Sequence, residues 1–170
     1  MIDEAFFDYL YYFHGPHDYF ECHEVLEELW KKEHKSCDLW VGFIQLAVSL
    51  YHMRRGNYRG AKKTIHRANQ IFKQNMTSIA KLGLNPTVLN EQTSLLEKQI
   101  TKNEPYQSFS LPIVDKILQK TVEKRCLANG YSFGGADCLH PDIIHKHTRR
   151  DRTDVVNARL KALNEKNKPF

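Results

Sequence analysis

No apolar run in this sequence is long enough to cross a bilayer. The longest uncharged stretch covers residues 39–53, where Gln45, Ser49 and His52 interrupt it, whereas a transmembrane helix needs about 20 apolar residues. The N-terminal stretch MIDEAFFDYL has no basic segment ahead of an apolar run, so we expect no signal peptide. These features predict no membrane partner and a buried core helix at residues 39–53.

Cysteines with metal-binding or redox spacing are also missing. The four cysteines, Cys22, Cys37, Cys126 and Cys138, form no Cys-x-x-Cys pair and no zinc-ribbon pattern. Isolated cysteines are typical of buried thiols in a reducing compartment. We therefore expect a cytoplasmic protein in which the cysteines are structural.

Acidic residues are concentrated at the start of the chain. Residues 1–35 contain nine acidic and three basic side chains, a balance of −6, whereas residues 36–105 balance at +6 and residues 106–170 at +5. An acidic face and a basic remainder could support homo-oligomers or an anionic partner. The net charge of +5 is weak evidence for nucleic acid, which we do not expect as a partner.

The pattern of apolar residues predicts an all-α fold. Apolar residues recur at helical spacing, without clean period-two alternation. Five helical segments can be delimited, because capping residues mark their starts and glycine or proline marks their ends. The segments cover residues 3–13, 18–34, 38–56, 57–83 and 85–102, with Ser36 as an alternative cap for the third. The apolar stripe of the fourth runs from Ala61 through Met76 to Ile79, which predicts one long amphipathic helix. Together these five helices predict a compact bundle at residues 1–104.

A second region follows the predicted bundle. Pro105 and Pro112 indicate an extended connector, because proline disfavours helical geometry in the preceding residue. A further helix is expected at residues 113–128, then a glycine-rich irregular stretch, and a final helix that starts near Thr153. Residues 105–170 therefore predict a basic, helical C-terminal extension that packs on the bundle or on a partner.

The stretch YFECHEVLEELW, residues 19–30, contains a candidate site. On a helical wheel, His23 and Glu27 lie side by side at the edge of the apolar arc, while Glu24 points away from it towards water. The next helix carries one polar stripe on an apolar surface, and this stripe includes Gln45, Ser49 and His52. If the two helices pack antiparallel, Glu27 meets Gln45 and His23 meets Ser49, which predicts a partly buried polar network.

Three interpretations of this network are open. It could be structural, because buried polar groups must be paired and their pairing specifies how the helices pack. It could bind a divalent metal ion through His23 and Glu27, with His52 as a third ligand. It could also move protons without metal, with His23 as a general base, although no nucleophile or oxyanion donor is evident beside it.

Two long motifs and a shorter one carry a resemblance to a known family. YFECHEVLEELW, GFIQLAVSLYHMRRGNYRGAKK and IAKLGLNP together resemble a bacterial family of small helical proteins, domain of unknown function 309, over about residues 15–105. The family pattern His-Glu-x-x-Glu-x-x-Trp and the second motif match His23, Glu24, Glu27, Trp30, Gln45, His52, Gly56, Asn57 and Gly60. The resemblance implies an all-helical bundle. Some members carry the label of predicted metal-dependent hydrolases, which rests on the same His-Glu motif.

Further histidines lie outside the main motif. HKHTRRDR, residues 145–152, could bind metal together with His140, or phosphate through its arginines, but a solvated face or pairing with the acidic first helices is favoured. His14 and His17, which flank Gly15-Pro16, are expected to be ordinary surface histidines, with a metal-ligand role beside His23 as the alternative if the loop folds back.

Three functions follow from these features. The favoured one is a non-enzymatic interaction or scaffold protein in which a Glu-Gln-His network specifies the bundle. The second is a metal-dependent hydrolase that uses the His23 helix. The third is anion or nucleic-acid binding through the basic C-terminal segment.

Overall fold

The computed structural model describes residues 2–137, 140–149, 160–161 and 163–164. Within these ranges the regular structure is helical, apart from one isolated antiparallel bridge between Leu84 and Ile113. The helices are α1 Glu4–His14, α2 Tyr19–Lys32, α3 Asp38–Arg54, α4 Tyr58–Gln74, α5 Met76–Lys81, α6 Pro86–Thr101, α7 Lys116–Ala128, α8 Pro141–Ile144 and α9 Lys146–Arg149. The predicted all-α class is confirmed. The predicted helix start near Thr153 lies outside the described residues.

Side-chain caps set where most of the long helices begin. Asp18 Oδ1 accepts from the Glu21 N–H at 3.1 Å, and Asn57 and Asn85 cap α4 and α6 in the same way. The predicted cap of α3 is wrong, because Cys37 occupies that position and its side chain makes no capping bond.

The predicted single helix over residues 57–83 is also wrong. The chain leaves helical geometry at Asn75, where φ is −126°, and the short α5 follows. The Asn75 side chain donates to the carbonyl of Ile71 at 2.8 Å, so it satisfies an acceptor at the end of α4. Because of this break, Met76 is 36% exposed instead of continuing the buried stripe.

Helix α3 lies at the centre of the bundle, with α2 and α4 both packed on it. Its Phe43 side chain is fully buried and contacts the rings of Phe6, Tyr9 and Phe72. Gly42 permits the close approach of α4, because a Cβ at this position would lie 2.9 Å from the Phe72 ring. The predicted buried core helix at residues 39–53 is therefore confirmed.

The C-terminal extension packs on the bundle. Leu111, Leu118, Val122 and Cys126 are buried in the same apolar cluster as the helices of the first hundred residues, and α7 lies against α1. The extension thus shares one core with the bundle. The boundary at residue 104 stays a prediction.

His14 and His17 are buried, so their predicted surface position is wrong. His14 Nε2 accepts from the Leu111 N–H at 3.1 Å, while its Nδ1–H donates to the carbonyl of Leu10 at 2.9 Å. His17 Nε2 lies 3.0 Å from the carbonyl of Gly135. Both histidines therefore hold the returning extension, a contact that local sequence cannot reveal. Burial lowers the pKa of His14 to about 4.

Candidate functional site

Helix α2 places three potential metal ligands on one patch of surface. His23 Nε2 lies 2.6 Å from Glu27 Oε2, and His23 Nδ1 lies 3.3 Å from Glu24 Oε1. Glu27 follows His23 by one helical turn, so the two share a face. One ligand atom from each of the three side chains lies within 4.8 Å of the other two. The predicted orientation of Glu24 away from the pair is corrected, because its flexible side chain reaches back to His23.

A lysine also contacts the Glu27 carboxylate of this group. Lys31 Nζ lies 2.5 Å from Glu27 Oε1 at the i,i+4 position. Burial raises the pKa of the Glu27 carboxyl, but the Lys31 ammonium and His23 outweigh this effect and hold the pKa below its ordinary value. His23 and Lys31 thus each contact one oxygen of Glu27, and a cation entering here would compete with them for this carboxylate.

The other predicted site residues make separate contacts. Ser49 is buried and its hydroxyl donates to the carbonyl of Leu46 in its own helix at 2.7 Å. The Asn57 amide donates to His52 Nδ1 at 3.2 Å. Burial, followed by the charge of Arg55, lowers the pKa of His52. Within the described part of the chain, the three-residue ligand group does not extend to His52.

Gln45 and Trp30 are both half-buried, and Trp30 packs against the core. The Lys35 ammonium lies 5.4 Å from the centroid of the Trp30 ring. The pairing of Glu27 with Gln45 across the two helices stays a prediction.

The C-terminal segment reaches the start of α2. Lys146 Nζ lies 2.8 Å from Asp18 and 2.9 Å from Glu21, which confirms for this residue the predicted pairing with the acidic first helices. The neighbouring His147 ring contacts Tyr51, whose ring also lies 5.9 Å from that of Phe20. Residues 150–152 of the basic run lie outside the described residues.

A buried charged cluster was missed by sequence reasoning. The Arg54 guanidinium donates to the carbonyl of His17 at 2.8 Å, lies 3.8 Å from Asp137 and stands over the Tyr19 ring at 4.7 Å. The Arg54 and Asp137 side chains are only 4% and 10% exposed. Asp137 also accepts from the Ser108 hydroxyl at 2.9 Å. No spacing signal could have linked Arg54 with Asp137, because the two are far apart in the chain.

The fold and the α2 site together define a small all-helical protein with a His-Glu-x-x-Glu-x-x-Trp helix packed on a central apolar helix. The family described as "Domain of unknown function (DUF309)" matches residues 6–64, which contain all of α2 and α3. The chain is also 40% identical over 171 residues to "Uncharacterized protein YpuF" of Bacillus subtilis (strain 168), with 99% of this chain and 98% of that protein covered. The chain therefore belongs to the DUF309 family, as its motifs predict. No solved structure matches it.

None of the helices in the described ranges has both the length and the apolar character needed to span a bilayer.

Proposed function

We propose that this protein is a non-enzymatic interaction protein that binds an acidic partner on the exposed face of α4. The observation that carries this proposal is the charge of that face. Helix α4 contains no acidic residue, and the sequence has none anywhere between residues 39 and 90. Its exposed cations are Arg59, Lys62, Lys63, Arg67 and Lys73.

These cations stand close together with little compensation. Arg59, Lys63 and Arg67 follow one another at i,i+4 spacing, where like charges repel. In the part of the chain that the structure describes, the ion pair on this face joins His66 to Glu97 of α6 at 2.8 Å and involves none of the five cations. An acidic partner would relieve this repulsion, which makes α4 a favourable docking surface.

The cytoplasmic location predicted from the cysteines is part of this proposal. Cys22, Cys37 and Cys126 are free thiols in the structure, and Cys22 and Cys126 are buried, as in a protein of a reducing compartment.

A binding experiment tests the α4 proposal. A fluorescein-labelled glutamate-rich peptide is titrated with the wild-type protein and with the variant Lys62→Gln, Lys63→Gln, Arg67→Gln, and binding is followed by fluorescence anisotropy. We expect the variant to bind about tenfold more weakly, because three of the five cations that attract the peptide are gone. The wild-type affinity should also fall as salt is raised.

The matched control removes the same amount of charge from another helix. Lys116, Lys120 and Lys124 are exposed on α7, and their replacement by glutamine should leave the affinity within about twofold of the wild type. Equal losses in both variants would mean that net charge alone attracts the peptide, and the α4 proposal would then be wrong.

A metal-dependent hydrolase is the second candidate, and the ligand group on α2 favours it. His23, Glu24 and Glu27 present an imidazole and two carboxylates within 4.8 Å of one another, a donor set that suits zinc and similar divalent ions. The Lys31–Glu27 pair weighs against it, because the lysine already neutralises the central carboxylate.

Metal content separates the two candidates. The wild-type protein and the variant His23→Ala, Glu27→Ala are purified without chelator and measured by mass spectrometry. The interaction proposal expects no stoichiometric metal in either protein and a loss of about 1 kcal/mol of stability in the variant, since its α2 pairs are partly solvated. One equivalent of a divalent metal in the wild type, absent from the variant, would make the hydrolase the leading function.

A further inference from the structure

We propose that the acidic partner of α4 is a second copy of this chain, which receives α4 in a groove between its own helices α1 and α2. This inference rests on the proposed function, because it identifies the partner of the same α4 face. The groove has a volume of about 420 Å³. Its lining includes the carboxylates of Asp3, Glu4, Asp8 and Glu28 and the half-buried apolar side chains of Val25 and Leu29.

The chemistry of the groove suits lysine and arginine side chains. Apolar side chains in the lining can cover the aliphatic stems of these residues while the carboxylates meet their charged ends. Lys32 also lines the groove and lies 3.2 Å from Glu28, and Arg125 pairs with Asp8, so two of the four carboxylates already have a cation. Glu28 also borders a second groove along α2, whose lining includes Glu21 and Glu24.

The charges of the two surfaces are complementary in sign. The lining of the groove has four carboxylates and Lys32, a balance of −3. Arg125 pairs with Asp8. Adding this cation to −3 leaves −2, to be met by cations of α4 in another copy.

The alternative of a nucleic acid explains fewer of these features. Tyr58, the aromatic residue at the start of α4, is half-buried and donates its hydroxyl to the carbonyl of Glu104 at 2.8 Å, so it offers no free ring for base stacking. A nucleic acid would also leave the acidic groove without an occupant. A second copy uses both surfaces.

The positions of the two surfaces determine the kind of assembly. Helices α2 and α4 both pack on α3 rather than on each other, so the groove and the basic face belong to different flanks of the molecule. A one-way contact between two different surfaces is heterologous, and the resulting pair keeps one free α4 face on one copy and one free groove on the other. We therefore expect chains or rings that grow beyond dimers as the protein concentration rises.

Sedimentation velocity with charge-reversed variants tests this assembly. The basic variant is Lys63→Glu, Arg67→Glu, and the groove variant is Glu4→Lys, Glu28→Lys; all four side chains are exposed. At about 50 mM salt we expect the wild type to associate and each variant to associate at least tenfold more weakly, with the wild-type assembly dissolving at about 500 mM salt. Thermal melting checks that the variants remain folded.

Mixing the two variants gives the sharpest readout. The basic variant keeps an intact groove and the groove variant keeps an intact α4 face, so an equimolar mixture should form complexes that neither variant forms alone. The control Lys116→Glu, Lys120→Glu, which reverses two exposed charges on α7, should associate like the wild type.

Three results would overturn the inference. A wild type that stays monomeric at low salt, or an association that survives reversal of Lys63 and Arg67, would exclude a second copy as the partner of α4. Binding of a labelled DNA duplex to α4 without self-association would have the same consequence. If the acidic peptide still requires Lys62, Lys63 and Arg67, the proposed function stands and only the identity of the partner is wrong.

Discussion

Replacing Arg54 by methionine is expected to lower the free energy of unfolding by about 3 kcal/mol. The Arg54 side chain is 4% exposed, donates to the carbonyl of His17 and lies beside Asp137. Methionine keeps much of the apolar stem but leaves the largely buried Asp137 carboxylate without its cation, and an uncompensated buried charge is costly. Urea denaturation at neutral pH measures the change.

A matched substitution distinguishes the effect of leaving a buried charge unpaired from the effect of replacing any arginine by methionine. Arg59 is exposed on α4, and Arg59→Met should change stability by no more than about 0.5 kcal/mol. The double variant Arg54→Met, Asp137→Leu should recover part of the loss, because both charges then leave the interior together. If Arg54→Met costs no more than Arg59→Met, this cluster does not hold the extension on the bundle.

Acid is expected to destabilise the protein through His14. Burial lowers the pKa of His14 to about 4 in the folded protein, against 6.5 for an ordinary histidine. Between about pH 6.5 and pH 4 the unfolded chain binds a proton at His14 that the folded protein does not bind, so stability falls as the pH falls. A difference of about 2.5 units between the pKa of His14 in the folded protein and in the unfolded chain corresponds to about 3 kcal/mol in the free energy of unfolding.

The variant His14→Gln isolates this contribution. Glutamine can still accept from the Leu111 N–H, but it does not titrate, so the variant should lose about 3 kcal/mol less than the wild type between pH 6.5 and pH 4. His66 is 63% exposed, and His66→Gln should keep most of the wild-type pH dependence. Urea denaturation across this pH range gives, for each protein, the slope of the free energy of unfolding against pH. Equal slopes for wild type and His14→Gln would show that His14 is not the responsible group.

Features that depend on neighbouring residues could be predicted. The starts of three helices could be predicted from Asp18, Asn57 and Asn85, because each of these side chains accepts from a backbone N–H only a few residues away. The contact of His23 with Glu27 follows from the geometry of one helical turn. The family, too, is recognisable from local motifs, and the comparisons confirm it.

Predictions failed where two local signals competed. The apolar stripe through Met76 continues the period of α4, but Asn75 ends the helix by bonding to the carbonyl of Ile71. The periodicity of apolar residues does not show whether the hydrogen bond of the Asn75 side chain is more favourable than a further turn of helix. The orientation of Glu24 failed for a related reason, since a wheel gives the direction of a Cα–Cβ bond and not the reach of a flexible side chain.

The amino-acid order alone thus determines the all-helical class, the caps at Asp18, Asn57 and Asn85 and the His23–Glu27 pair, because each depends on residues within a few positions of one another. Only the tertiary structure decides that His14 and His17 are buried under residues 111–135, and that Arg54 stands beside Asp137. These contacts close long loops, and burying their polar groups is tolerated only because the packed core brings hydrogen-bond and charge partners to them. The α4 face and the α1–α2 groove depend on both the sequence and the tertiary structure. The order of residues sets their charge, and the packing of α2 and α4 on α3 places them on separate flanks.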